Sequence, residues 1–168
     1  GIKSTKLTKQ ELFFLKKYKP WGVILFSRNL QNFKQIKNLT SNIRNLFKDK
    51  NYPIMIDQEG GRVNRLNKII SLDKLTSEYF GKLFIKNKRE FLINYKLFVD
   101  KISYLLKNLG ININTVPVLD LRYKSSSKVI GDRSFSDNVE IVSDIGDLCV
   151  RYFRENSIGT VIKHIPGH

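Results

Sequence analysis

The sequence predicts an α/β protein built on a parallel sheet. Three observations predict it: four short β-rich apolar runs, helical hydrophobic periodicity between them, and glycines near the helix-to-strand turns. The runs are Gly22-Val23-Ile24-Leu25-Phe26, Pro53-Ile54-Met55-Ile56, Ile111 to Val118, and Gly159-Thr160-Val161-Ile162. They are short and nearly continuous in apolar character, as strands covered on both faces are.

The elements follow in order. Thr8 and Glu11 have the spacing of a capping box, which predicts an opening helix from Thr8 to Tyr18. The first strand comes next. From Asn32 to Phe47, the residues Phe33, Ile36, Leu39, Ile43, Leu46 and Phe47 recur at three- and four-residue steps and predict an amphipathic helix. The second strand follows. From Glu90 to Leu109, Phe91, Tyr95, Phe98, Ile102, Leu105 and Leu109 repeat the pattern. Leu109-Gly110 supplies a glycine for the turn into the third strand. From Asn138 to Asn156, Val139, Val142, Ile145, Leu148, Cys149 and Phe153 predict the next helix, and Ile158-Gly159 leads into the fourth strand. Ser125-Ser126-Ser127-Lys128 is a soft stretch in the long connection after the third strand.

Strand and helix therefore alternate, which argues for parallel strands joined by right-handed crossovers. A flavodoxin-like open sheet suits 168 residues. A (β/α)8 barrel needs about 250 residues. Periodicity alone admits both.

The chain is one domain's worth of sequence, residues 1–168, with 41% apolar residues, enough for a core. No run approaches the roughly 18 apolar residues of a membrane span, so no membrane partner is expected. The start, Gly1-Ile2-Lys3-Ser4, lacks the long apolar region of a signal peptide. Cys149 is the single cysteine, so an internal disulfide and a cysteine-based metal site are both excluded. It reads as a small buried apolar residue, and a reducing, cytoplasmic compartment is the expectation. The net charge of +15 is compatible with an acidic partner. However, the basic residues are scattered: Lys16-Lys17-Tyr18-Lys19 and Lys86-Asn87-Lys88-Arg89 are short clusters. Lys, Asn and Ile are abundant and Ala is absent, as AT-rich coding produces whatever the function. No nucleic-acid partner is expected.

The polar residues are placed with more order. Ser27-Arg28-Asn29 follows the first strand, and Asp57-Gln58-Glu59-Gly60-Gly61-Arg62, then Arg65, follow the second. Asp120, then Gly131-Asp132-Arg133, follow the third, and Lys163-His164-Ile165-Pro166-Gly167-His168 follows the fourth. Parallel α/β folds bind ligands at the C-terminal edge of the sheet. Any one cluster has a bland reading: Asp57 as a cap for its turn, Arg65 as a solvated charge, Arg133 paired with Asp132, His164 as a structural histidine. Four clusters in register favour a site.

These strings carry a resemblance. DQEGGRVNR from Asp57 to Arg65, IGDRSF from Ile130 to Phe135 and IKHIPGH from Ile162 to His168 are found together with GVILFSRN and PVLDL. Together they resemble the N-terminal catalytic domain of glycoside hydrolase family 3, and most closely its bacterial β-N-acetylglucosaminidases (β-N-acetylhexosaminidases) of peptidoglycan recycling. The likeness covers essentially the whole chain. It implies the N-terminal half of a (β/α)8 TIM barrel, four parallel strands with intervening helices, ending after strand four.

The resemblance implies roles. Asp57 corresponds to a carboxylate that grips sugar hydroxyls, Arg65 and Arg133 to substrate-binding arginines, and Lys163 and His164 to a pair on the same sugar. Glu59, Gly60, Gly61, Asp120, Asp132 and His168 take supporting parts: Glu59 as partner to a nearby arginine, the glycines in a tight turn, Asp120 bracing its loop. Ile165-Pro166 is a candidate cis bond. The implied substrate is an N-acetylglucosaminyl glycan of muropeptide type, and no cofactor or metal is implied.

Retaining hydrolysis needs a nucleophile and an acid/base. The resemblance puts both, an Asp and a His, beyond His168, so the chain is expected to bind sugar without cleaving it. A non-catalytic sugar-binding half-barrel, a gene fragment and a β-glucosidase-type member of the family are the alternatives. Open strand edges make self-association an expected partner mode.

Overall fold

A computed structural model of the chain describes residues 1–123 and 128–168. The soft stretch at Ser125-Ser126-Ser127 lies outside the described residues. Helix α1 spans Lys9–Tyr18, capped by the expected box: the Thr8 side chain accepts from Glu11 N, and the Glu11 carboxylate accepts from Thr8 N. Strand β1 is Val23–Leu25, α2 is Phe33–Phe47 and β2 is Ile54–Ile56. Two helices follow, α3 (Ser77–Lys86) and α4 (Lys88–Asn108), then β3 (Ile113–Asn114), α5 (Val139–Glu155) and β4 (Gly159–Thr160). Asn32, Asn87 and Asn138 each accept a backbone N–H at the start of α2, α4 and α5, as capping side chains do.

The helix patterns are thus realised within a residue or two, with one omission. Helix α3 was not expected. Asn87 ends it and starts α4. At the other periodic positions the side chains are buried, or half-buried at Leu46, Phe47, Phe98 and Leu105, but Val139 (64% exposed) and Phe33 (41%) sit at helix starts and face outward.

The sheet order is β1-β2-β3-β4, all parallel, with Val23 beside Ile54, Ile56 beside Asn114, and Asn114 beside Thr160. A flavodoxin-like sheet crosses back over its first strand. Consecutive order around the sheet is the order of a (β/α)8 barrel, so the open-sheet alternative falls. The third and fourth runs are shorter as strands than expected. After Asn114 the ladder is interrupted, because Val116 N turns back to its own strand's Asn114 O and Pro117 has no N–H to offer. Pairing resumes at a single bridge, Val118 with Lys163. After α5 the left-handed residue is Ser157 (φ 58°) rather than Gly159, which starts β4; Gly110 (φ 74°) does take that role after α4.

Val23, Leu25, Ile54 and Ile56 are buried, while Ile24 and Met55 between them are only half-buried. Alternation of this kind gives the sheet two faces. The first set joins Ile36, Ile43, Phe91, Ile102 and Leu106 in one core. Each such side chain contributes about 1.5–3 kcal/mol on burial. Among the described residues, no helix is long and apolar enough to cross a membrane.

Candidate functional site

The C-terminal ends of β2, β3 and β4 lie side by side, so the residues that follow them converge. Asp57 and Glu59 come from β2, Thr115 and Asp120 from β3, and Lys163 and His164 from β4. Gly60 (φ 108°) and Gly61 (φ 53°) make the turn after Glu59, as expected. A Cβ on Gly60 would stand 2.3 Å from Leu75 O, so only glycine fits there.

Lys163 Nζ is the centre of the cluster. It lies 3.0 Å from Asp57 Oδ1 and 2.7 Å from Glu59 Oε1, and it donates to Thr115 Oγ1 at 3.3 Å. Thr115 in turn donates to Asp57 Oδ1. Arg133 grips Glu59 with two parallel bonds, Nε to Oε2 at 2.8 Å and Nη2 to Oε1 at 2.9 Å. Glu59 is therefore the arginine partner that was expected. The alternative pairing of Arg133 with Asp132 does not occur, because Asp132 pairs with Arg62 at 2.7 Å. Arg65 approaches Asp57 Oδ2 only at 3.5 Å, and its buried Nε has no hydrogen-bond partner among the described residues.

A second cluster adjoins the first. His164 Nδ1 lies 2.6 Å from Asp120 Oδ2, and the backbone N–H groups of His164 and His168 donate to the same carboxylate at 3.2 and 2.8 Å. Asp120 thus braces the segment after β4. The His168 ring stands edge-on to that of His164, with centroids 5.2 Å apart. The Lys163-His164, Ile165-Pro166 and Val116-Pro117 bonds are cis, the second as anticipated.

Asp57 and Asp120 are both shifted toward the ionised form. Burial works to raise the pKa of Asp57, but hydrogen bonds from Thr115 and Lys163 and the charges of Lys163 and Arg65 outweigh it, leaving it below the usual range. Burial likewise opposes Asp120, and the His164 ring and two backbone N–H groups overcome it. The Glu59 hydrogen bonds push the Arg133 pKa up despite burial.

Ser27-Arg28-Asn29 does not join the site. Arg28 Nε and Asn29 Nδ2 donate to Ile2 O, fastening the N-terminal segment over β1. Sequence reasoning missed Thr115 and Asn114. Asn114, fully buried, accepts from Gln58 N and donates to Gln58 O, both at 2.9 Å, and so clamps the peptide between Asp57 and Glu59. A groove of about 640 Å³ lies elsewhere, between the segment Thr5–Leu12 and α2, and it carries no carboxylate or histidine. The polar chemistry is at the strand ends. Among the described residues, no group of three His, Cys, Asp or Glu side chains is arranged to hold a metal.

Comparison with known proteins gives a consistent picture. The sequence pattern of the family described as "Glycosyl hydrolase family 3 N terminal domain" matches residues 2–168. A beta-hexosaminidase of Hydrogenovibrio crunogenus is 36% identical over 151 residues, covering 88% of this chain and 40% of that protein. A beta-hexosaminidase of Xanthomonas campestris is 31% identical, covering all of this chain and 50% of that protein. Native NagZ from Neisseria gonorrhoeae superposes with a TM-score of 0.89 at 30% identity, over 99% of this chain and 48% of that one. The same protein is known in complex with N-trifluoroacetyl-D-glucosamine, and that structure superposes with a TM-score of 0.88. The chain spans about half the length of the curated relatives it matches.

Proposed function

The chain belongs to the glycosyl hydrolase family 3 N-terminal domain family, and from that premise we propose that it forms the sugar-gripping half of a β-N-acetylhexosaminidase site. The sugar is a terminal β-linked N-acetylglucosamine, carried on a peptidoglycan-derived fragment of muropeptide type in the cytoplasm. The names of the relatives and the acylated glucosamine bound by one of them support the sugar; the compartment and the fragment rest on the family likeness.

The observation that carries the reading is the unspent capacity at Asp57 and Arg65. Asp57 Oδ1 is taken up by Lys163 and Thr115, while among the described residues Oδ2 has only the long contact to Arg65. An ionised carboxylate oxygen with open lone pairs accepts sugar hydroxyls well. Arg65 Nε, buried without a partner among the described residues, is a donor with the same spare capacity. Lys163 links Asp57 to Glu59, and Glu59 holds Arg133, so both cations adjoin this position.

The same surroundings argue against a general-acid role for these carboxylates. A general acid for glycoside cleavage needs a raised pKa. Asp57 and Asp120 are both shifted the other way, and Glu59 is spent on Arg133 and Lys163. In this reading the retaining nucleophile and the acid/base belong to the remainder of the barrel that the longer relatives carry. The residues here bind and orient the sugar.

Isothermal calorimetry with N-acetylglucosamine tests the reading. Saturable binding that is lost in Arg133→Ala supports it. Absence of heat at millimolar sugar, with the chain shown to be folded, contradicts it.

A further inference from the structure

We propose that Arg62 is a positioning residue, which sets Arg133 by clamping the long β3–α5 connection onto the β2 loop. The two loops exchange arginines. Arg133 of the long connection reaches Glu59 of the β2 loop, and Arg62 of the β2 loop reaches back to Asp132, the residue next to Arg133.

Arg62 does more than form an ion pair. Its Nε lies 2.7 Å from Asp132 Oδ1, and its Nη2 donates to the carbonyls of Lys128 at 3.3 Å, Ile130 at 3.0 Å and Val129 between them. Those carbonyls immediately precede the single 3-10 turn Gly131–Arg133, whose last residue is Arg133 itself. One guanidinium thus fixes the start of the turn and the side chain at its middle. Gly131, which opens the turn, has φ +42°, a backbone conformation that favours glycine, and a Cβ there would stand in ordinary van der Waals contact with Arg62 Nη2, at 3.5 Å.

The Arg62 side chain is 46% exposed. As a plain surface ion pair it would stabilise the fold little. Its value lies in the fork, which meets four acceptors at once; the point charge of a lysine has no such geometry. Among the described residues Arg62 makes its side-chain hydrogen bonds to Asp132, Lys128, Val129 and Ile130, and to none of Asp57, Glu59, Lys163 or His164, so it acts through the turn that carries Arg133.

The test is isotope-edited NMR of the Arg133 Nε–H signal, assigned by its absence in Arg133→Ala, alongside N-acetylglucosamine affinity. In Arg62→Ala the signal should move toward the free-arginine position, affinity should fall about tenfold, and the thermal midpoint should change by only a few degrees. Arg62→Lys should resemble the alanine variant. Asp132→Asn keeps the carbonyl contacts and should shift the same signal in the same direction by less, which covers the case that Arg62→Ala does not fold. An unmoved Arg133 signal in the folded variants overturns the proposal. The affinity readout rests on the sugar-binding reading. Should the parent chain bind no sugar, that reading fails while the Arg133 signal still decides the role of Arg62.

Discussion

Arg133 and Glu59 form a two-point ion pair between loops that are 74 residues apart in sequence, with the Glu59 side chain only 3% exposed. Lys163 joins the same carboxylate. Glu59→Gln therefore leaves Arg133 without its anionic partner and Lys163 with Asp57 alone. Breaking a buried pair on one side costs about 3–5 kcal/mol. Because both cations keep some solvent access, a loss of roughly 3 kcal/mol is expected. Urea unfolding measures it; a loss below about 1 kcal/mol would show that the pair is dispensable.

Acid should weaken the site through Asp57. Its pKa is depressed in the folded protein, with burial opposed by Thr115, Lys163 and Arg65. A depressed carboxylate stabilises the fold above its unfolded pKa, near 3.9, and that stabilisation is lost as pH falls through the folded value. The unfolded chain binds the extra proton, so stability rises with pH across this window. The stability gap between the parent and Asp57→Asn should be constant near neutrality and should shrink in acid. A gap that widens on acidification contradicts the assignment.

Asn114 should govern both stability and the site. Its amide is bonded to both backbone groups of Gln58. Asn114→Ala strands a buried N–H and a buried C=O, at about 1–3 kcal/mol each. It also frees Asp57 and Glu59 on either side. A combined loss of a few kcal/mol in chemical denaturation is expected, with weaker sugar binding.

Cys149 should be inert while the chain is folded. Burial pushes its thiol up to about 12, against a small opposing effect of the Tyr95 hydrogen bond. The thiolate is the reactive form. A colorimetric disulfide reagent should label Cys149 only after guanidinium is added. Stoichiometric labelling of the native chain would show that the site opens readily.

Much of this was legible in the sequence, because the signals are local. Thr8 with Glu11, Asn32 and Asn138 mark helix starts through side-chain-to-backbone bonds a few residues long. Helix α3 was hidden because Asn87 serves both α3 and α4 and leaves no loop between them. The strand order, which decides between barrel and open sheet, depends on long-range pairing that no local pattern carries. The ionised ends of the strands were visible as charged strings. Thr115 and Asn114 were not, since each sits in an apolar run as a strand residue, and only the adjacency of β2, β3 and β4 gives them partners. The pairing of Arg133 with Glu59 rather than with its neighbour Asp132 likewise depends on how the loops cross.

The central claim is that sugar is held at the ends of β2, β3 and β4. A titration with N-acetylglucosamine followed by two-dimensional NMR tests it most directly. Saturating shifts are expected at Asp57–Arg65, Thr115, Arg133 and Lys163–His164, and none of them in Asp57→Ala. Shifts confined to the groove between Thr5–Leu12 and α2, or no saturating shifts in the folded chain, would contradict it.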